Sequence, residues 1–158
     1  MAHVVILGAG LGGMPAAYEM RAALGSEHRV TVVSAVDYFQ FVPSNPWVAV
    51  GWRQREEVIL QVAPLLARKG IDFVPRPVTK IDAEGSRLEF ADREPLAYDY
   101  LVITTGPKLS FDEVPGAGPH GGHTHSVCTV DHAQRFWAEY QTFLQDPGPV
   151  VIGAMPMA

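Results

Sequence analysis

The chain has 158 residues, 47% of them hydrophobic and 18% charged, which suits one packed domain and at most the beginnings of a second. Twelve basic against seventeen acidic residues leave a formal net charge of −5, which argues against the basic face of a dedicated nucleic-acid binder. A single cysteine excludes an intramolecular disulfide framework and a cysteine-only zinc site, and no stretch reaches the ~18 consecutive apolar residues of a spanning helix. The apolar start lacks a positive leader and runs straight into glycines, so no signal peptide is expected. The chain reads as a soluble intracellular α/β protein.

Residues 3–7 form an aliphatic run without polar alternation, the pattern of a strand buried on both faces. Gly8-Ala9-Gly10-Leu11-Gly12-Gly13 follows, then a helix over residues 14–24 with Pro15 in its first turn, closed by Gly25. A second buried strand is expected at 30–33, which completes one strand–helix–strand unit. Residues 37–52 are irregular, aromatic and proline-containing, a long apolar loop expected to cover something flat and apolar.

A helix is expected over 58–69, kinked or broken near Pro64 and ended by Gly70. Short strands are expected at 71–74, 78–81 and 87–90, the last two joined by the turn Ala83-Glu84-Gly85-Ser86. A further buried strand runs over 98–103 into Thr104-Thr105-Gly106, and a proline- and glycine-rich connector fills 107–127. Ala133, Phe136, Trp137, Tyr140, Phe143 and Leu144 recur at helical spacing, an amphipathic helix whose aromatic stripe reads as core. It is stopped by Asp146-Pro147-Gly148-Pro149, and residues 150–154 resemble the first strand of a new unit, as in a truncated protein.

The pattern Gly8-x-Gly10-x-x-Gly13 is weak alone but gains force between a strand and a helix. Gly8 permits a tight turn, Gly10 lets backbone approach a pyrophosphate, Gly13 lets helix pack on strand, and the helix start offers amides to the anion. The competing reading is a glycine-rich turn without a ligand. Where an acid for ribose hydroxyls is expected, roughly 20 residues on, the chain has Ser34-Ala35-Val36-Asp37. Ser34 offers one hydrogen bond in place of a carboxylate's two, and Asp37 serves only if the loop folds back. Thr105 and Gly106 end a strand on the edge where ligands of parallel sheets sit. Cys128 lies just before a helix, with His132 one turn along, either a thiolate favoured by the helix dipole or a small apolar filler. His120, His123 and His125 lack the carboxylate or helical spacing of a shaped metal site, so no metal is expected and a solvated loop is preferred. The charge groups at 53–57 and 92–94 read as solvated faces.

Four blocks of residues carry a more specific likeness: Gly8-Ala9-Gly10-Leu11-Gly12-Gly13-Met14-Pro15-Ala16-Ala17; Asp37-Tyr38-Phe39-Gln40-Phe41-Val42-Pro43-Ser44-Asn45-Pro46-Trp47; Thr105-Gly106-Pro107-Lys108-Leu109; and Cys128-Thr129-Val130-Asp131-His132-Ala133. With them the chain resembles the bacterial-type sulfide:quinone oxidoreductases, flavoproteins with two dinucleotide-binding units, over nearly its whole length. The resemblance implies an α/β fold with a Rossmann-like FAD-binding domain, a parallel sheet and a small β-hairpin or meander, ending at the first strand of a second unit. It implies domains at 1–110 (FAD-binding, first part), 111–148 (connector and amphipathic helix) and 149–158 (start of the second unit).

It further implies FAD held by Gly8, Ala9, Gly10, Leu11, Gly12, Gly13, Ser34, Ala35, Val42, Pro43, Val78, Thr105 and Gly106, with Cys128 and His132 as redox and proton-handling residues. The implied partners are sulfide and a membrane quinone, with no nucleic acid. Membrane contact is expected only through the part of the family fold beyond this terminus. The family's location is cytoplasmic or peripheral to the inner membrane; this chain alone is expected to be soluble or aggregation-prone and inactive, since the cysteine pair and quinone pocket belong to the remainder. The alternatives are a catalytically inert nucleotide-binding fragment, or the FAD-binding part of a flavocytochrome-type sulfide dehydrogenase or a type II NADH dehydrogenase.

Overall fold

The computed structural model describes residues 1–153. These form two compact units, one from Met1–Phe41 and Ile59–Leu109, the other from Val42–Val58 and the chain from Ser110 onward. Among the described residues no helix is long and apolar enough to cross a membrane.

The first unit is built on a parallel sheet in the order β5-β2-β1-β9, with β1 His3–Leu7, β2 Arg29–Ser34, β5 Asp72–Pro75 and β9 Tyr100–Ile103. Successive side chains alternate between faces. Ile6, Val30 and Val32 therefore join Met14, Ala17, Val62, Leu66 and Ile71 in one core, while Val5, Leu7 and Val33 join Leu88 in a second. Helices α1 (Gly13–Ala23) and α4 (Val62–Ala67) supply the first core. The second is covered by a three-stranded antiparallel sheet, β6 Val78–Asp82, β7 Arg87–Phe90 and β8 Leu96–Ala97. Burial on both faces explains the unbroken aliphatic runs in β1 and β2. The Arg21 guanidinium closes the far end of α1 by donating to the carbonyls of His28, Leu24 and Gly25.

The α/β architecture and the β6–β7 hairpin agree with the sequence; several local expectations change, among them the loop expected over 37–52, which carries a strand at Tyr38–Gln40 and a helix at Asn45–Ala49. The helix over 58–69 is instead α3 (Arg55–Val58), β4 (Ile59–Gln61) and α4. Pro64 is the third residue of α4, where its missing N–H costs no helical hydrogen bond, so the proline stands in a helix start rather than a kink. The released residues pair β4 antiparallel with β3 (Tyr38–Gln40), setting Phe39 opposite Leu60. The strand expected over 98–103 is shorter and only half-buried, because β9 is an outer strand of its sheet, and Ile103 is 58% exposed. Residues 150–153 form no strand: they have no ladder partner among the described residues, and Val151 is 95% exposed. Ala154 lies outside the described residues.

The second unit contains a 3-10 turn at Val42–Ser44, α2 (Asn45–Ala49), α3, a 3-10 turn at Phe111–Glu113 and α5 (Val130–Phe143). Helices α2 and α5 pack together, and Gly51 lies at φ +72° just past α2, where a Cβ would meet the Trp137 indole at 2.5 Å. Thr129 caps α5 by accepting the His132 amide at 3.1 Å, and Asp131 in the first turn pairs with Arg55. Only Val130 and Ala133 of α5 are fully buried. Phe136, Tyr140 and Phe143 are half-buried and stack along the helix rather than form a core.

Candidate functional site

Where β1 leaves the sheet, the Gly8 amide donates to the Val33 carbonyl at 2.7 Å and the backbone takes φ +113°. From β9, the Thr104 amide donates to the Leu7 carbonyl at 2.8 Å. The Thr104 hydroxyl bridges the Leu7 and Gly8 carbonyls at 3.0 and 3.1 Å. A Cβ at Gly8 would press on the Thr104 carbonyl carbon at 2.7 Å, and one at Gly13 on the Thr104 hydroxyl at 2.7 Å and on the Gly8 carbonyl. These two glycines are demanded by the fold.

Gly10 is different. Beyond its two chain neighbours, no protein atom lies within 4 Å of where its Cβ would stand, and its φ is not in the left-handed region. Nothing in the chain forbids a side chain there, so its bareness fits a group approaching from outside, as a pyrophosphate would. The first turn of α1 agrees: Gly12 at its start provides no side-chain cap, and the turn holds no acidic residue. The Met14 amide is taken by the Gly10 carbonyl at 3.1 Å and Pro15 has none, so the Gly12 and Gly13 amides are the ones left to face an anion.

Ala9, Leu11, Gly12, Ser34, Ala35, Thr105 and Gly106 accompany this turn on the carboxyl edge of the parallel sheet. Ser34 is buried, and its Oγ accepts the Val36 amide at 3.4 Å. Ala35 and Thr105 are exposed, and Gly106 lies at φ +72°. Val78 is in β6, packed against the second core. Beside the turn, Leu11, Met14, Pro15, Tyr18, Glu19 and Phe39 line a groove of about 310 Å³.

Val42, Pro43, Cys128 and His132 belong to the second unit. Val42 and Pro43 are exposed in the first 3-10 turn. Cys128 is exposed immediately before the Thr129 cap, its amide donating to Ser126 Oγ at 3.1 Å. The His132 ring lies between Phe111, at 5.7 Å between ring centres, and His120, with the two Nε2 atoms 3.3 Å apart. Burial, with His120 next, holds the His132 imidazole below its ordinary value. The other two loop histidines are engaged elsewhere: His125 packs edge-on against Phe136, while His123 donates its amide to the Gly116 carbonyl. The loop is thus more internally bonded than a solvated connector.

Three residues have roles that the sequence does not assign. Thr104 locks the glycine turn, yet in Thr104-Thr105-Gly106 only the strand phase tells the two threonines apart. Asn45 is fully buried with neither its amide nitrogen nor its oxygen partnered. His120 meets His132 only through the loop's path.

The profile of the pyridine nucleotide-disulphide oxidoreductases matches residues 2–156. The chain belongs to that family. Within it, the chain is 39% identical over 154 residues to the sulfide-quinone reductase of Aquifex aeolicus, covering 98% of this chain and 35% of that protein. The solved structure of the Aquifex aeolicus sulfide:quinone oxidoreductase superposes with a TM-score of 0.84 at 36% identity, over 94% of this chain and 34% of that one. An external alternative NAD(P)H-ubiquinone oxidoreductase of Arabidopsis thaliana is 29% identical over 128 residues, 74% of this chain and 21% of that protein. The chain therefore spans about a third of the sulfide-quinone reductase, and the likeness read from its four sequence blocks is borne out.

Proposed function

We propose that this chain is the FAD-binding part of a sulfide:quinone oxidoreductase, in which sulfide is oxidised to polysulfide or sulfur and electrons pass through FAD to a membrane quinone. The observation that carries the reading is the contrast between Gly8 and Gly13, which the fold requires, and Gly10, where the chain itself leaves room for a side chain. The amides after Gly10 and the uncapped start of α1 would hold the diphosphate, with Ser34 and Ala35 toward the adenosine ribose and Thr105 and Gly106 on the adjoining strand end. Val42, Pro43 and Val78 complete the proposed set. FAD, when bound, supplies the two-electron carrier. Cys128 would supply a sulfur nucleophile and His132 would handle the accompanying proton.

In this reading residues 1–110 are the first part of the FAD domain, 111–148 a connector and 149–158 the opening of a second dinucleotide unit. One cysteine cannot form an internal disulfide, so the chain alone would lack a full sulfide-to-quinone cycle. The complete protein would lie in the cytoplasm or against the inner membrane.

The test is the visible spectrum of the purified chain after incubation with FAD and gel filtration. Flavin bands near one equivalent support the reading; a colourless chain overturns it in favour of an inert fragment. The likeness to a plant NAD(P)H-ubiquinone oxidoreductase favours a second reading, the FAD-binding part of a type II NADH dehydrogenase. NADH titrated into the FAD-loaded full-length protein separates the two, since bleaching of the flavin bands favours the second.

A further inference from the structure

The first turn of α5 and the loop before it meet at two imidazoles. The His120 and His132 Nε2 atoms are 3.3 Å apart, and the rings are set edge to face with centres 5.3 Å apart. The approach is built in from both sides. The His132 backbone is fixed by the Thr129 cap at 3.1 Å, and its ring rests on Phe111. His120 leaves a loop whose Gly118 and Pro119 are buried. That loop is tied by the Gly118 amide to Thr124 Oγ1 at 2.8 Å and by the His123 amide to the Gly116 carbonyl at 2.7 Å.

For two neutral rings at this distance, one Nε2 carries the hydrogen and the other accepts it. His120 is exposed, so water reaches its ring. The Nδ1 atom of His132 is buried without a partner. Were His120 the donor, His132 would hold its own proton at that Nδ1, a buried N–H with no acceptor, the rarer and costlier arrangement. With His132 as donor, its Nδ1 is a bare lone pair.

We propose that His120 is a positioning residue: it accepts the His132 Nε2–H and so fixes the tautomer in which His132 Nδ1 is a buried, unprotonated acceptor. The charged surroundings suit a neutral ring. Asp131 is engaged with Arg55, and Arg135 with Glu139 at 3.5 Å. Asp112 and Glu113 beside Phe111 are exposed, and α2, packed on α5, contains no titratable side chain. Burial and the second imidazole both disfavour the cation.

The experiment uses the full chain labelled with ¹⁵N, without FAD, and reads ring-nitrogen protonation from long-range proton–nitrogen correlations above the ordinary imidazole titration range. In the unmodified chain His132 is expected to show a protonated Nε2 and a bare Nδ1. In His120→Leu the two nitrogens should become averaged, and in His120→Gln, whose side-chain oxygen can accept, the original pattern should return. A protonated Nδ1 in the unmodified chain, or a pattern unchanged by His120→Leu, overturns the proposal. Should His120→Leu not fold, the unmodified chain and His120→Gln still decide it. A chain that fails to bind FAD refutes the flavin reading without altering this measurement, and a flavin-loaded chain with Nδ1–H refutes the tautomer alone.

Discussion

The parallel sheet of the first unit and the long helix of the second are both apolar in sequence, yet they bury their side chains very differently. In β1 and β2, Val5, Ile6, Val32 and Val33 are wholly buried, because helices close one face and a small antiparallel sheet the other. In α5 only Val130 and Ala133 reach that state, and the aromatic stripe stacks on itself. An aliphatic run in a two-sided sheet has its partners set by alternation alone. An aromatic stripe at helical spacing shows which face is apolar and nothing about what covers it.

The sharpest way to break this contrast lies in the glycine turn. Gly13→Val should cost about 3 kcal/mol or more, because the new side chain meets the Gly8 carbonyl and Thr104 in backbone that is already packed. Gly10→Val should change stability by no more than about 0.5 kcal/mol while abolishing FAD retention. Urea unfolding together with the flavin spectrum checks both, and equal destabilisation by the two would remove the distinction between fold glycines and a ligand glycine. Next in size, Thr104→Val removes a hydroxyl that bridges two carbonyls and should cost about 1–2 kcal/mol, against less than about 0.5 kcal/mol for exposed Thr105→Val.

In the second unit, Asn45→Leu should raise the stability of the ligand-free chain by about 1 kcal/mol, since an unpartnered buried amide gives way to an apolar group of similar size. A loss in thermal midpoint would show that the amide has a partner in solution. The smallest expected effect is a pH dependence. His3, half-buried and beside Arg29, and His132 are both held below the ordinary imidazole value. The unfolded chain therefore takes up protons first, and stability complete above about pH 6.5 should decline as the pH falls from there toward the lower folded values. Midpoints measured between about pH 8 and 5 check this, and His132→Gln should flatten part of the decline.

Much of the fold was legible because its determinants are local. The aliphatic runs of β1 and β2, the glycines between strand and helix, and the Ala83-Glu84-Gly85-Ser86 turn each fix their structure within a few residues. The errors fall where distant partners decide. Ile59–Gln61 continues the helical pattern of its neighbours, but Tyr38–Gln40 draws it into a ladder. The 150–153 segment has strand composition and no strand beside it among the described residues. The site divides the same way. The glycine spacing named the turn, whereas Thr104 and His120 owe their places to contacts that no spacing encodes, and the burial of Asn45 leaves no mark in the sequence.

The Thr104 bridge carries a consequence for biosynthesis. It joins residues 96 and 97 positions apart, so the glycine turn takes its final form only after nearly two-thirds of the chain has been translated. A ribosome-bound chain stalled before that threonine emerges would have the strand and the helix but a slack cradle, and loading with nucleotide would have to wait for the late strand to dock.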